Sequence, residues 1–134
     1  MRFMMLVLPK GYDTAKPGTL PPKELVEKMG KYNESLSKAG VLLQLDGLHP
    51  PSAGARVSFA GGKPTVKDGP FAEAKEVLGG YWLIQVAARA EAIDWATRAP
   101  MPDGDVIEVR QVQEMADFTP ELQKAAGSTR LGQQ

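Results

Sequence analysis

Apolar residues group in two recurring ways along this chain, and the alternation between them sketches the fold. "RFMMLVL" at 2–8 is a short, almost unbroken apolar run closed by Pro9, the pattern of a strand that is central in its sheet or covered on both faces. The stretch from Pro22 to Ala39 follows helical spacing instead. Leu25, Met29, Tyr32 and Leu36 fall at i, i+4, i+7 and i+11, which sets them on one stripe. Pro22 suits the first turn and Gly40 the position just past the end. Gly30, inside this helix, costs about 1 kcal/mol against alanine, which predicts a close helix-to-sheet contact there.

"VLLQLDGL" (41–48) begins a second strand, and "HPPSAGA" breaks it. "RVSF" and "KPTV" flank Gly61-Gly62 as a small hairpin. "FAEAKEVL" (71–78) predicts a short helix, opened by Pro70 and ended by Gly79-Gly80. "YWLIQVA" (81–87) is a strong strand with aromatic and branched residues. Residues 89–100 read as a helix with Ala92, Ile93 and Ala96 on one face. "DVIEVRQVQEM" (105–115) alternates: Val106, Glu108, Arg110 and Val112 point one way, Ile107, Val109, Gln111 and Gln113 the other. Thr119-Pro120-Glu121 then opens a tail helix to about Ala126, with frayed residues from Gly127 onward.

With the inserted hairpin set aside, this order is the split β-α-β arrangement of a ferredoxin-like α+β domain. Such a domain has a four-stranded antiparallel sheet with helices on one face and the other face uncovered. Monomers rarely expose large apolar patches, so a homodimer packed sheet on sheet is expected.

Composition narrows the chemistry. A chain of 134 residues is the size of one domain. Its 16 basic and 16 acidic residues cancel, and no segment collects one sign, which disfavours a nucleic-acid partner. With no cysteine and one histidine, disulfides, thiol chemistry and a His/Cys zinc site within one chain are excluded. No EF-hand or nucleotide motif appears, so neither a metal nor a cofactor is expected. The opening apolar run is too short for a signal peptide's core or a bilayer span, which points to a cytoplasmic protein without membrane association.

The candidate chemistry sits in two corners. His49 leaves a strand just before the rigid Pro50-Pro51 pair, and imidazole titrates near neutrality, as general acid–base catalysis requires. The hairpin separates it from Asp68, and a hairpin brings its two ends together, so Asp68 is the expected orienting carboxylate. Asp68-Gly69-Pro70-Phe71 also has a purely structural reading, in which the carboxylate bonds the N–H groups of the following turn. Arg110 is a candidate clamp for a substrate carboxylate, or else the salt-bridge partner of Glu108. Tyr81 and Trp82 point to opposite faces of their strand, so at most one is expected in a given pocket, with Tyr81 the candidate substrate contact. The long loop "PKGYDTAKPGTLPP" (9–22) is expected to border a site.

Taken together, "VLLQLDGLHPP", "VKDGPFAEAKEVLGGYWLIQV" and "DVIEVRQVQEM" resemble the DGPF-type members of the YCII-related proteins, in the dimeric α+β barrel superfamily. The resemblance runs from about Met1 to Met115, and the tail from Ala116 to Gln134 lies outside it. It implies a fold, a dimer and a His/Asp acid–base site. Asp68 matches the signature carboxylate, and His49 stands where such relatives often carry another polar residue. One relative of the family acts as a muconolactone-type dehalogenase, and DGPF members are often encoded beside extracytoplasmic-function sigma factors. Two functions are therefore in view. The first is a cofactor-free proton-transfer enzyme or binder of a small, anionic, cyclic or carbonyl compound: His49 moves the proton, Asp68 orients it and Arg110 neutralises the substrate. The alternative is a non-catalytic regulatory or partner-binding module, linked to a sigma factor and docking through Leu122 and Ala125–Ala126 of the tail helix.

Overall fold

Period-two burial along the first strand decides which way the sheet faces. In the computed structural model, which describes residues 1–127, Phe3 and Met5 are buried while Arg2, Met4 and Leu6 between them are only half-buried. This strand, β1 (Arg2–Leu8), pairs antiparallel with both β5 (Gly80–Gln85) and β6 (Val106–Gln111). A further strand, β2 (Leu42–Gly47), adds to the far side of β5, so the order across the sheet is β2-β5-β1-β6. Register carries the same face across: Phe3 stands opposite Ile84, and Met5 opposite Trp82 and Val109. Fully burying side chains of this size is worth about 1.5–3 kcal/mol each, and a one-residue slip would turn the whole set to solvent.

Helices α1 (Lys23–Lys38) and α2 (Arg89–Thr97) cover that face. Tyr32 and Leu36 of α1 and Ala92 of α2 enter the core with Phe3, Met5, Trp82, Ile84 and Val86. Tyr32 is the pin. Its ring meets Trp82 edge-on with centroids 5.2 Å apart, and its hydroxyl donates to the Trp95 carbonyl at 2.6 Å, tying α1 to α2. Burial pushes its pKa up to about 12. Next along α1, the Asn33 Oδ1 accepts from the Trp82 indole N–H at 2.7 Å, so the large buried indole has its donor satisfied.

The split β-α-β arrangement and the four-stranded antiparallel sheet are thus present as expected. The other sheet face carries Met4, Leu6, Leu8, Tyr81 and Leu83, half-buried, with the more exposed Val106, Glu108 and Arg110. The insertion is a two-stranded hairpin of β3 (Ala55–Ala60) and β4 (Lys63–Asp68). Gly61 and Gly62 turn it with φ of 59° and 77°, the pair of positive angles that a tight two-residue hairpin turn needs. Tail helix α3 (Pro120–Ala126) starts where Thr119 Oγ1 accepts the Leu122 N–H. The fraying expected beyond Gly127 lies outside the described residues.

Three expectations change. "FAEAKEVL" is not a helix: its one local turn is the Ala74 N–H bonded to the Phe71 carbonyl at 3.1 Å, and the segment runs on irregularly to β5 with Val77 as its buried anchor. The last strand stops at Gln111, not Met115. Glu114 ends it by turning to Arg2, whose guanidinium donates to both carboxylate oxygens at 2.7 and 3.1 Å, and by capping a short turn at Met115–Asp117. Gly30 makes no close approach, because a Cβ built there meets nothing within 4 Å. Gly69 is the tight position: a Cβ there would stand 1.7 Å from the Pro51 carbonyl oxygen.

The two glycines therefore respond in opposite directions to alanine. Gly30→Ala should raise stability by about 1 kcal/mol by removing a flexible helix residue. Gly69→Ala should lower it by about 1–3 kcal/mol through overpacking. Urea denaturation measures both, and equal effects would contradict the packing described.

Candidate functional site

Between the N-terminal half of α1 and one end of the sheet the layers part, leaving a cavity of about 680 Å³. Leu25, Val26, Met29 and Gly30 form its helix wall. Loop 9–22 closes one side with Pro9, Tyr12, Thr19, Leu20, Pro21 and Pro22. The sheet end supplies Val7, Leu45, Gly47, Gly80 and Trp82. Leu20, Val26, Leu45 and Leu48, all exposed, stand around this cavity. Preformed, mostly apolar concavities of this size are the usual form of small-molecule sites.

Glycine shapes the sheet end. Gly47 pairs with Gly80 in adjacent strands, so no side chain fills the space there. A Cβ at Gly80 would lie 2.8 Å from the Asp46 carbonyl oxygen, and one at Gly79 2.5 Å from the Pro9 ring. The Gly79 N–H donates to the Val7 carbonyl at 2.8 Å, and its own carbonyl accepts the Leu48 N–H at 2.9 Å. With this end of the sheet bare, the cavity reaches residues of both faces. Tyr81 and Trp82 therefore both line it, where alternation alone allowed one.

Polar groups are few. The Tyr12 hydroxyl donates to the Leu48 carbonyl at 2.5 Å, fixing the strand exit one residue before His49. Burial raises the Tyr12 pKa, so this hydroxyl keeps its proton. Asp46 Oδ2 accepts the Tyr81 hydroxyl at 2.7 Å and the Gln44 amide at 3.2 Å. These two donors, Tyr81 first, hold the Asp46 carboxyl below its usual range, and the same bond raises the Tyr81 pKa. Asp105 borders the cavity with Oδ1 accepting the Lys10 backbone N–H at 2.9 Å.

Of the residues expected from sequence, His49 and Tyr81 line the cavity; Asp68 and Arg110 do not. His49 is exposed at its border, anchored by the buried Pro50 that follows. Among the described residues no hydrogen bond or ion pair joins His49 to Asp68, and the Asp68 carboxylate accepts no hydrogen bond from its own turn. The two corners nonetheless meet through their neighbours. Gly69 packs on Pro51, and its N–H donates to the Gly54 carbonyl at 2.9 Å. Arg110 is on the open sheet face, where its guanidinium approaches Glu108 at 3.4 Å. Sequence reasoning passed over Asp46, Asp105, Tyr12 and Asn33. The alternation in "VLLQLDGL" sets Gln44 and Asp46 on one face and was a usable signal; no local pattern announces the pairing of Asp105 with Lys10.

A ferredoxin-like sheet with a ligand-sized cavity at its glycine-lined end defines a class of small α+β protein. The profile of the YCII-related domain matches residues 1–116, and the chain belongs to that family. It is also 44% identical over 59 residues to "Uncharacterized protein R00369" of Rhizobium meliloti (strain 1021). That match covers 44% of this chain and 48% of the relative, so the chain spans about half the length of the curated relative it matches.

Removing the hydroxyl in Tyr81→Phe should let the Asp46 carboxyl titrate at higher pH, because a donor to the ionised form is lost. Carbon-13 NMR of the carboxylates reads this directly. An unchanged Asp46 titration would show that the Tyr81 bond is not what holds it ionised.

Proposed function

We propose that this protein binds a small molecule in the cavity between α1 and the sheet and exchanges a proton with it through His49. The observation that carries this reading is the cavity itself, whose walls are apolar and whose border includes the chain's one imidazole. A neutral histidine beside a bound ligand accepts or returns a proton near physiological pH without any cofactor. Asp68 itself stands outside the cavity; the Gly69 that follows it packs on Pro51 and so sets the corner from which His49 projects. The DGPF assignment rests on that same turn. The setting we infer is cytoplasmic, and no helix among the described residues is long and apolar enough to cross a membrane.

The test is ligand-observed NMR with a fragment library, using Gly30→Leu to fill the cavity from its open helix position. Ligands should bind the native protein and lose affinity for the variant by at least tenfold, and saturation should move the titration midpoint of the single imidazole. Equal binding to the variant would place the site elsewhere, and an unmoved midpoint would leave binding without proton exchange.

We further propose a homodimer through the open sheet face. Half-buried Met4, Leu6, Leu8 and Leu83 there form an apolar strip edged by Glu108 and Arg110, and such strips mark interfaces. Light scattering should return twice the 14.4 kDa chain mass. Leu83→Glu should halve it; a native monomer would remove the proposal.

A further inference from the structure

The hairpin of β3 and β4 is the part of the chain that the core does not reach: every residue of both strands is exposed. Its register nonetheless sorts these residues into two unlike faces. Val57 stands opposite Val66 and Phe59 opposite Pro64 on one side. Arg56 stands opposite Lys67, Ser58 opposite Thr65 and Ala60 opposite Lys63 on the other. On the apolar side Val57, Phe59 and Val66 are 52, 76 and 68% exposed. The polar side is the one that touches the chain itself, since the Arg56 guanidinium lies over the Phe71 ring, 4.2 Å from its centroid. The Gly69 N–H, bonded to the Gly54 carbonyl, fastens the hairpin at its base, and strands of six residues span about 20 Å from there to the turn. A two-stranded hairpin alone is marginal in water and needs a further layer. An apolar face on an arm outside the core is therefore a surface for a partner.

We infer that this face docks on a second copy of the chain, so that each subunit of the homodimer holds its partner with an arm through Val57, Phe59, Pro64 and Val66. The inference rests on the homodimer proposed above. Area is what points to that occupant. Four strands spaced and sized as in the sheet present about 400 Å² of flat surface, whereas a stable interface takes about 800 Å² from each partner. The open sheet face alone falls short of that, and Glu108 and Arg110 interrupt its apolar strip. Two-fold symmetry counts each arm twice, once given and once received, and a single buried Phe adds about 150–250 Å². Strand addition is not the mode of contact. β4 carries Lys63, Pro64 and Lys67, residues that block pairing with a further strand at an edge, which leaves the apolar face as the docking side.

Hydrogen exchange reads the arm directly. Amides of residues 55–68 should exchange at least about tenfold more slowly in the native dimer than in Leu83→Glu, the sheet-face monomer. Phe59→Ser and Val66→Thr, both outside the core, should weaken the dimer about tenfold in sedimentation equilibrium, while Lys63→Ser on the polar side leaves it unchanged. A native dimer whose hairpin exchanges as fast as that of Leu83→Glu would overturn the arm and leave the sheet-face dimer standing. So would a dimer unaltered in both apolar variants. A native monomer would overturn both proposals. A face that is apolar on one side and basic on the other also suits an anionic bilayer. A hairpin protected by phosphatidylglycerol vesicles and not by dimerisation would assign the arm to a membrane, against this inference.

Discussion

Backbone meeting backbone without an intervening side chain is the constraint on which the site depends. At Gly69, Gly79 and Gly80 a single methyl group would collide with Pro51, Pro9 or Asp46. Each contact brings a loop within hydrogen-bonding distance of its neighbour: Gly69 to Gly54, Gly79 to Val7, Leu48 to Gly79. The Pro50-Pro51 corner, the hairpin base and the start of β5 are thereby held together around one end of the sheet. Strand pairing and helix packing would form a core without these contacts. The cavity's floor and the direction of His49 would be lost.

The helix layer adds the second condition. Tyr32 and Asn33 fasten the middle of α1 to Trp82 and Trp95, and Leu36 buries its C-terminal half. Ahead of that anchor, Leu25, Val26 and Gly30 line the cavity. The helix is thus clamped along one half and held off along the other. Here the stripe that builds the core also lines the cavity, at positions one or two turns earlier.

Much of this architecture was legible in the sequence, because it rests on short-range periodicity. The i, i+4, i+7 spacing of Leu25, Met29 and Tyr32 located α1, alternation located β6, and Gly61-Gly62 located the hairpin turn. What was not legible depended on long-range fit. Gly30 and Gly69 look alike as letters, yet a Cβ added at one would meet empty space and at the other would collide with the Pro51 carbonyl oxygen. "FAEAKEVL" has helical composition, but its task is to deliver Val77 to the interior and reach Gly79. The lining of the cavity was partly legible. His49 and Tyr81 line the cavity. Asp68 was expected there because a hairpin brings its two ends together, and the ends do meet through Gly69 and Pro51, without joining the carboxylate to His49. Arg110 was placed by residue chemistry alone and stands on the open sheet face beside Glu108.

The central claim, that the chemistry of this protein is housed in the wedge between α1 and the sheet end, has a direct probe in its two tryptophans. Trp82 lines the cavity and Trp95 lies outside it, beneath Arg98. Proton–nitrogen NMR of the two indole N–H groups during titration with a fragment that binds the native protein distinguishes them. The account predicts a saturable shift of the Trp82 resonance with Trp95 unmoved. A shift confined to Trp95, or none at either indole, would contradict it.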